Sequence, residues 1–313
     1  MTNKTSPSAG IFNLGLIGYP VEHSLSPQLH NAALSALNIE GSYNVFPILP
    51  LPEGLQKLKY ILDRVRQSSL HGLNVTIPHK QSVIPLLDNL TPTAEAIGAV
   101  NTIYLQDSQL LGDNTDAPGF LRDLHRFLEN IPFFNTQVQK SALILGAGGS
   151  ARAVVYSLYQ TGWQVFIAAR RIEQAQALAG AMQNATASSI PDNIKKSQTI
   201  SPLSLTTSSL VGLNPDLIVN TTPLGMSSHS NETPLPEGFS LASHSVVYDL
   251  VYSPPETALI KQSAAQGNFA VNGAGMLVEQ AALSFERWTC KAAPRAIMHE
   301  IISSHTNSRN YTS

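Results

Sequence analysis

The sequence predicts a two-domain α/β protein on three observations. Short β-type apolar runs alternate with helix-spaced segments twice along the chain, a glycine-rich turn joins a strand to a helix in the second half, and 313 residues amount to about two domains at roughly 150 residues each. An apolar share of 43% with only 13% charged residues, against about 25% in an average domain, describes a compact folded chain and excludes a disordered one.

Residues 1–10 and about 303–313 are rich in Ser, Thr and Asn, as loosely ordered ends are. The first series places β-type runs at Leu14–Gly18, Tyr43–Ile48, Gly72–Ile77 and Ala99–Leu105, with helical stretches near 27–37, 53–67, 80–87 and 91–97. These define a first domain over 11–116. From Asp116, the segment DAPGFLRDLHRFLEN sets Phe120, Leu121, Leu124 and Leu128 at helical spacing, a helix that leads into a second domain over 117–274. There Ala142–Leu145 reads as a buried strand, followed by the glycine turn, a helix over 150–161 and a strand over Gln164–Ala169, which together make a βαβ unit. Asp216–Asn220, Val246–Leu250 and Phe269–Asn272 read as further strands and 173–182 and 255–266 as helices, whereas the Ser/Thr-rich stretch 185–212 shows no assignable pattern. The closing helical stretch, about 275–302, has no strand after it and is expected to pack back on the first domain.

Charge and composition remove several classes of function. Nineteen Lys and Arg against 21 Asp and Glu, a net charge of -2, offer no broad basic field for a nucleic-acid backbone. The start has no signal-length apolar run and no segment approaches the ~18 apolar residues that span a membrane. The single cysteine, Cys290, excludes an internal disulfide and a multi-cysteine zinc site and fits a reducing compartment. We therefore expect a cytoplasmic protein without membrane or nucleic-acid partners, in which Asn74-Val75-Thr76 and Asn220-Thr221-Thr222 are not glycosylation sites. The nine histidines are scattered and form no ligand spacing with Asp and Glu, so no metal is expected. His23 and His79 read as loop or packing residues, and Cys290 as a packing residue without chemistry.

Gly146-Ala147-Gly148-Gly149-Ser150-Ala151 leaves an apolar strand and enters a helix, the setting that a G-x-G-x-x-A dinucleotide fingerprint requires. Gly146 permits the tight turn, and Gly148 lets the backbone approach a pyrophosphate at the helix N-terminus. An NAD site places Asp or Glu about 20 residues on, to hold a ribose hydroxyl. Here the strand ends in Ala168-Ala169-Arg170-Arg171. Two guanidiniums suit a 2'-phosphate, so NADP is expected, although paired arginines also occur simply as a solvated strand end.

Polar residues in the first domain stand where apolar ones would pack better. Ser24 and Ser26 precede a helix, where an N-cap accounts for one of them. Thr76 and Lys80 follow a strand-like run, with Pro78 between them stopping regular pairing; an isolated lysine is by default a surface residue. Asn101 offers an amide and the segment 112–116 offers carboxylates, including Asp116, which an Asx-turn or cap accounts for locally.

Taken together, SLSP, NVTIPHK, GAVNT, GDNTDAPGF, GAGGSARA, NTTPLGM, YDLVYSPPET and NGAGMLVEQA, in this order over roughly 20–285, resemble the shikimate dehydrogenase family. The resemblance implies a two-domain enzyme that reduces 3-dehydroshikimate to shikimate with NADPH, on the route to chorismate and the aromatic amino acids. It puts substrate contacts at Ser24, Ser26, Thr76, Asn101, Tyr252 and Gln280 and a catalytic pair at Lys80 and Asp116. Cofactor contacts fall on Gly146, Ala147, Gly148 and Gly149 with Ser150 and Ala151 of the same motif, on Arg170 and Arg171, and on Leu250 and Gly273. One departure stands out: much of the family reads Asn-Arg-Thr at this strand end with another arginine three residues later, where this chain has Ala169-Arg170-Arg171 and Gln174.

The residue types suit that chemistry. Uncharged donors and acceptors match the hydroxyls and carboxylate of a ring acid. Hydride delivery to a ring ketone builds negative charge on its oxygen, which Lys80 stabilises before supplying the proton. Two alternatives stand beside this reading: a quinate or mixed quinate/shikimate dehydrogenase using NAD, and a non-catalytic metabolite-binding protein. Ser24 with Ser26 favours shikimate by the resemblance. Monomer and homodimer are both compatible with the sequence.

Overall fold

The computed structural model describes residues 11–132, 134, 140–186, 199–226 and 229–306. These divide into two compact units, one made of 11–91, 100–113 and 281–301, the other of 92–99, 114–280 and 302–306.

The first unit is built on β1 (Phe12–Gly18), α1 (Ser26–Ala36), β2 (Gly41–Pro47), α2 (Leu55–Arg66), β3 (Gly72–Val75), the short α3 (His79–Ser82), a 3-10 turn at Ile84–Leu86, β4 (Asn89–Leu90), β5 (Thr102–Gln106) and β6 (Gln109–Asp113). The sheet order is β2-β1-β3-β5-β6-β4, with β1 parallel to β2 and β3, and β5 antiparallel to β3 and β6. The helix α2 buries Leu58, Ile61, Leu62 and Val65, one face at i, i+3, i+4 and i+7. Two expectations need correction. The helix read near 80–87 is a four-residue helix and a separate 3-10 turn, because Pro85 cannot continue the first. The pattern anticipates only the first strand of the β5–β6 hairpin: its turn residues Asp107 and Ser108 adopt φ of 50° and 63° without the glycine that signals such a turn.

The second unit contains α4 (Pro92–Ile97), α5 (Asp116–Leu128), β7 (Ser141–Leu145), α6 (Gly149–Gln160), β8 (Gln164–Ala169), α7 (Ile172–Thr186), β9 (Ile200–Ser204), α8 (Thr207–Leu210), β10 (Leu217–Asn220), β11 (Val246–Asp249), α9 (Ala258–Ala265) and β12 (Ala270–Asn272). Its sheet is entirely parallel in the order β12-β11-β10-β7-β8-β9. This is the doubly wound dinucleotide-binding order, with the reversal between β7 and β10. Alternate residues of β7 serve opposite faces, as the strand period demands. Ala142 and Ile144 join the core formed with α5 and α6 through Phe120, Leu124, Val154 and Leu158. Leu143 and Leu145 join the other core, with Leu210, Leu235 and Leu259.

The unassigned stretch 185–212 contains the end of α7, β9 and α8, with residues 187–198 outside those described. Strand β9, Ile-Ser-Pro-Leu-Ser, is the edge of its sheet, where Pro202 and serines are tolerated and the apolar pattern of a central strand is not required. Residues 92–99 and 114–116, assigned from sequence to the first domain, group with the second unit; Ile97 and Ala99 pack there with Ala117 and Ala153.

The closing stretch is two helices, α10 (Ala274–Thr289) and α11 (Arg295–Thr306), of which 281–301 belong to the first unit. The break follows from Cys290 at φ 54° and Pro294. Cys290 is exposed, so it terminates a helix and is not the packing residue expected. Trp288 fixes α10 on the first sheet: its indole Nε1 donates to Ile103 O at 3.1 Å, and a Cβ on Gly72 would fall on the indole ring. Gly72→Ala is therefore expected to cost about 1–3 kcal/mol through overpacking, read as a lower urea midpoint at unchanged slope. An unshifted midpoint would contradict this contact.

Candidate active site

In the second unit the glycine turn leaves β7 at Leu145. Gly146 has φ of 110°, which L side chains rarely adopt, and a Cβ there would come 2.7 Å from Thr221 Oγ1 and 3.0 Å from Thr222 Cγ2. Its N–H donates to Ala168 O at 2.8 Å. Gly148 differs. It caps α6 with φ −84° and ψ −169°, ordinary extended backbone, and a Cβ built on it would meet nothing within 4 Å. Packing within the protein does not require glycine at 148. Gly149, Ser150 and Ala151 form the first turn of α6, ahead of the Arg152 N–H that donates to Gly148 O at 3.0 Å. Ala147 packs against the core.

Arg170 and Arg171 are exposed at the carboxyl end of β8, and among the described residues neither forms an ion pair. On the other side of the strand reversal, Leu250 N–H donates to Asn220 O at 3.0 Å and Gly273 N–H to Val251 O at 3.2 Å. A Cβ on Gly273 would collide with the Leu250 carbonyl, so glycine is required there by the close approach of two backbones. Tyr252 follows, half-buried. Gln280 is buried in α10 and donates Nε2–H to Leu277 O at 2.9 Å.

Asp116 is buried in the first turn of α5, where the helix dipole favours a carboxylate. Thr115 holds the N-cap position without a side-chain cap, and the preceding Asn114 braces the helix start: its Oδ1 accepts from Ala117 N–H at 3.1 Å and its Nδ2 donates to Ala99 O at 2.9 Å.

In the first unit, Leu25 and not a serine holds the N-cap position of α1, with no side-chain cap. Half-buried Ser24 accepts from Ser26 N–H at 3.3 Å, a local serine turn, while Ser26 is buried at the helix start. Lys80 is buried in α3, its carbonyl accepting from Val100 N–H at 2.7 Å. The ring of His79 anchors that helix, with Nε2 2.8 Å from Ile48 O and Nδ1 3.3 Å from Ser82 Oγ; it is a packing residue. His23 is exposed in its loop. Thr76 is half-buried just after β3.

A buried polar network reaches two of the predicted substrate residues. Tyr43 donates to Asn74 Oδ1 at 2.8 Å, and Asn74 Nδ2 donates to Asn101 O and to Ser284 Oγ, both at 3.0 Å. Thr102 donates to Asn101 Oδ1 at 3.0 Å, which orients the amide. Burial raises the Tyr43 phenol well above its ordinary range, and the neighbouring Ser26 hydroxyl acts against it. His30 stacks on Tyr43 at 4.3 Å between ring centroids and is pushed down to about 3 by burial, which keeps it a neutral ring.

A second buried cluster, unread in the sequence, surrounds Asp249 at the end of β11. Its oxygens accept from Asn220 Nδ2 at 2.8 Å, Val251 N–H at 3.0 Å and Thr257 Oγ1 at 2.6 Å. Burial pushes its carboxyl up to about 6, opposed by those three donors. With the folded value raised above the ordinary 3.8, its contribution to stability is full in acid and is lost as pH rises through about 6. Among the described residues no group of three His, Cys, Asp or Glu side chains could hold a metal ion.

Three family models match the chain: a shikimate dehydrogenase substrate binding domain over 16–103, a shikimate / quinate 5-dehydrogenase over 132–202, and a shikimate 5'-dehydrogenase C-terminal domain over 273–302. A shikimate dehydrogenase (NADP(+)) from Salinibacter ruber is 40% identical, over 92% of this chain and 95% of that one. Among solved structures, shikimate 5-dehydrogenase from Thermus thermophilus in complex with NADP(H) and shikimate superposes with a TM-score of 0.76 at 32% identity, covering 94% of this chain and 99% of that one. Quinate dehydrogenase from Corynebacterium glutamicum in complex with NAD reaches a TM-score of 0.79 at 31% identity, covering 94% and 99%.

Proposed function

Because the chain belongs to the shikimate dehydrogenase family, we propose that it catalyses the reversible, NADP-dependent reduction of 3-dehydroshikimate to shikimate. The observation that carries the cofactor half of this reading is Gly148, a glycine that the protein's own packing does not require, at the helix N-terminus beside the strand reversal. Gly146 to Ala151 would hold the pyrophosphate, and Arg170 with Arg171 the 2'-phosphate. With the adenosine half on the β8 side, Leu250 and Gly273 lie on the side left for the nicotinamide half. NADPH bound there supplies the hydride.

The chain's own part is to bind, orient and move a proton. Ser24, Ser26, Thr76, Asn101, Tyr252 and Gln280 present the neutral donors and acceptors that ring hydroxyls and a carboxylate need, and each such group left unpaired would cost about 1–3 kcal/mol. Lys80 and Asp116 act as the catalytic pair. The Lys80 ammonium stabilises negative charge on the ketone oxygen and passes it a proton; in the oxidising direction the lysine takes that proton back. We place the reaction on the route to the aromatic amino acids, in the cytoplasm, with the enzyme acting as a monomer or homodimer. No helix among the described residues is long and apolar enough to cross a membrane. The competing reading, an NAD-linked quinate dehydrogenase, draws on the likeness to the enzyme from C. glutamicum; the arginine pair in place of an acid after β8 weighs against it.

Lys80→Ala is expected to lower kcat by about 10²- to 10⁴-fold while near-UV circular dichroism stays that of the wild type. Near-normal turnover would remove Lys80 from the mechanism. Replacing Arg170 and Arg171 together by Gln is expected to raise the KM for NADP at least about tenfold and to change that for NAD far less, since only NADP carries the 2'-phosphate. An equal loss for both cofactors would end the 2'-phosphate assignment.

A further inference from the structure

Asp249 is fully buried, and the three groups that donate to it come from three different stretches of chain: Asn220 at the end of β10, Val251 just after β11, and Thr257 at the start of α9. The outer two pass the constraint on. Asn220 donates Nδ2–H to Leu224 O at 3.1 Å and accepts from the Thr222 N–H and hydroxyl at 2.9 and 2.7 Å, which fixes the turn after β10. Thr257 accepts from Ile260 N–H at 3.3 Å and so caps α9. Thr222 in turn is one of the residues against which Gly146 lies.

One carboxylate therefore ties together the chain leaving β10 and β11, within a connected set of contacts that reaches the glycine turn after β7. A well-packed apolar side chain would fill this space without desolvating a charge. Among the described residues, the groups that act on Asp249 against burial are the hydrogen-bond donors of Thr257, Val251 and Asn220, not charged side chains. A buried acid held in this way serves the geometry of the loop ends better than it serves the core.

Resting on the functional reading above, we propose that Asp249 is a positioning residue for hydride transfer, fixing residues 250–252 relative to the glycine turn and with them the nicotinamide-side contact Leu250 and the substrate contact Tyr252. The side chain touches neither the hydride nor the proton. It acts through Val251 N–H on one side and through Asn220 and Thr222 on the other.

The test compares wild type with Asp249→Asn, Thr257→Val and Thr257→Ser, in the presence of saturating NADP and of shikimate carrying either hydrogen or deuterium at the carbon that gives up the hydride. Asp249→Asn keeps the shape but turns an amide donor toward the Thr257 hydroxyl; Thr257→Val removes that hydroxyl and Thr257→Ser keeps it. A displaced hydride path is expected to lower kcat about 10- to 100-fold in Asp249→Asn and Thr257→Val. The isotope effect on kcat should rise above the wild-type value in both, with Thr257→Ser within about twofold of wild type. Thermal unfolding of each variant separates misplacement from loss of folded protein, which lowers kcat without moving the isotope effect. Should Asp249→Asn fail to fold, the two Thr257 variants decide the matter. Folded variants with wild-type kcat and isotope effect, or a fall in kcat at an unchanged isotope effect, overturn the inference. A wild type that oxidises no shikimate strikes the functional reading instead, and an active wild type with unaffected variants strikes this inference alone.

Discussion

The reversal of strand order between β7 and β10 sends the loops after these two strands to opposite sides of the sheet and leaves their carboxyl ends facing a shared crevice. Polar groups at those ends lie partly out of water, and each must find a partner or cost free energy comparable to a lost hydrogen bond. The second unit meets this demand with side chains. Thr221 donates to Leu145 O at 2.7 Å, Asn220 secures its own following turn, and Asp249 gathers Asn220, Val251 and Thr257. Glycine at 273 lets two backbones approach closely and glycine at 146 makes room for the Thr221 and Thr222 side chains, whereas a Cβ on Gly148 would meet nothing within 4 Å.

The first unit solves a similar problem with neutral groups. A central strand reads most economically as apolar, yet β3 carries buried Asn74, and around it Tyr43, Thr102 and Ser284 satisfy one another and hold Asn101. Such a network is worth having only when fully satisfied, because a partly satisfied one is costlier than an apolar core. Its cost is tolerable here because it holds the backbone and amide of a residue that the proposed chemistry uses.

Legibility in the sequence follows the physics of each element. The unit β7–α6–β8 is readable to within a residue or so, since an apolar run, a glycine turn and a helical period are all local signals. The glycine turn and the arginine pair are legible for the same reason. Strand β6 is not, because Asp107 and Ser108 reach positive φ without glycine, and β9 is not, because an edge strand need not be apolar. Ser24, Thr76, Lys80 and Asn101 can be grouped only by their motifs, as a fold that scatters a site along the chain leaves no spacing to read. Asn74 and Asp249 carry no signal of their own: a single polar residue inside a β-type run says nothing of its partners until the neighbouring strands are in place.

The central claim is that this chain oxidises shikimate with NADP. Its most direct test is the initial rate of nicotinamide reduction by the purified wild-type protein with shikimate, with NADP and with NAD side by side. The account predicts rapid reduction of NADP and a much slower rate with NAD. No reduction of either by demonstrably folded protein, or an equal or faster rate with NAD, would contradict it.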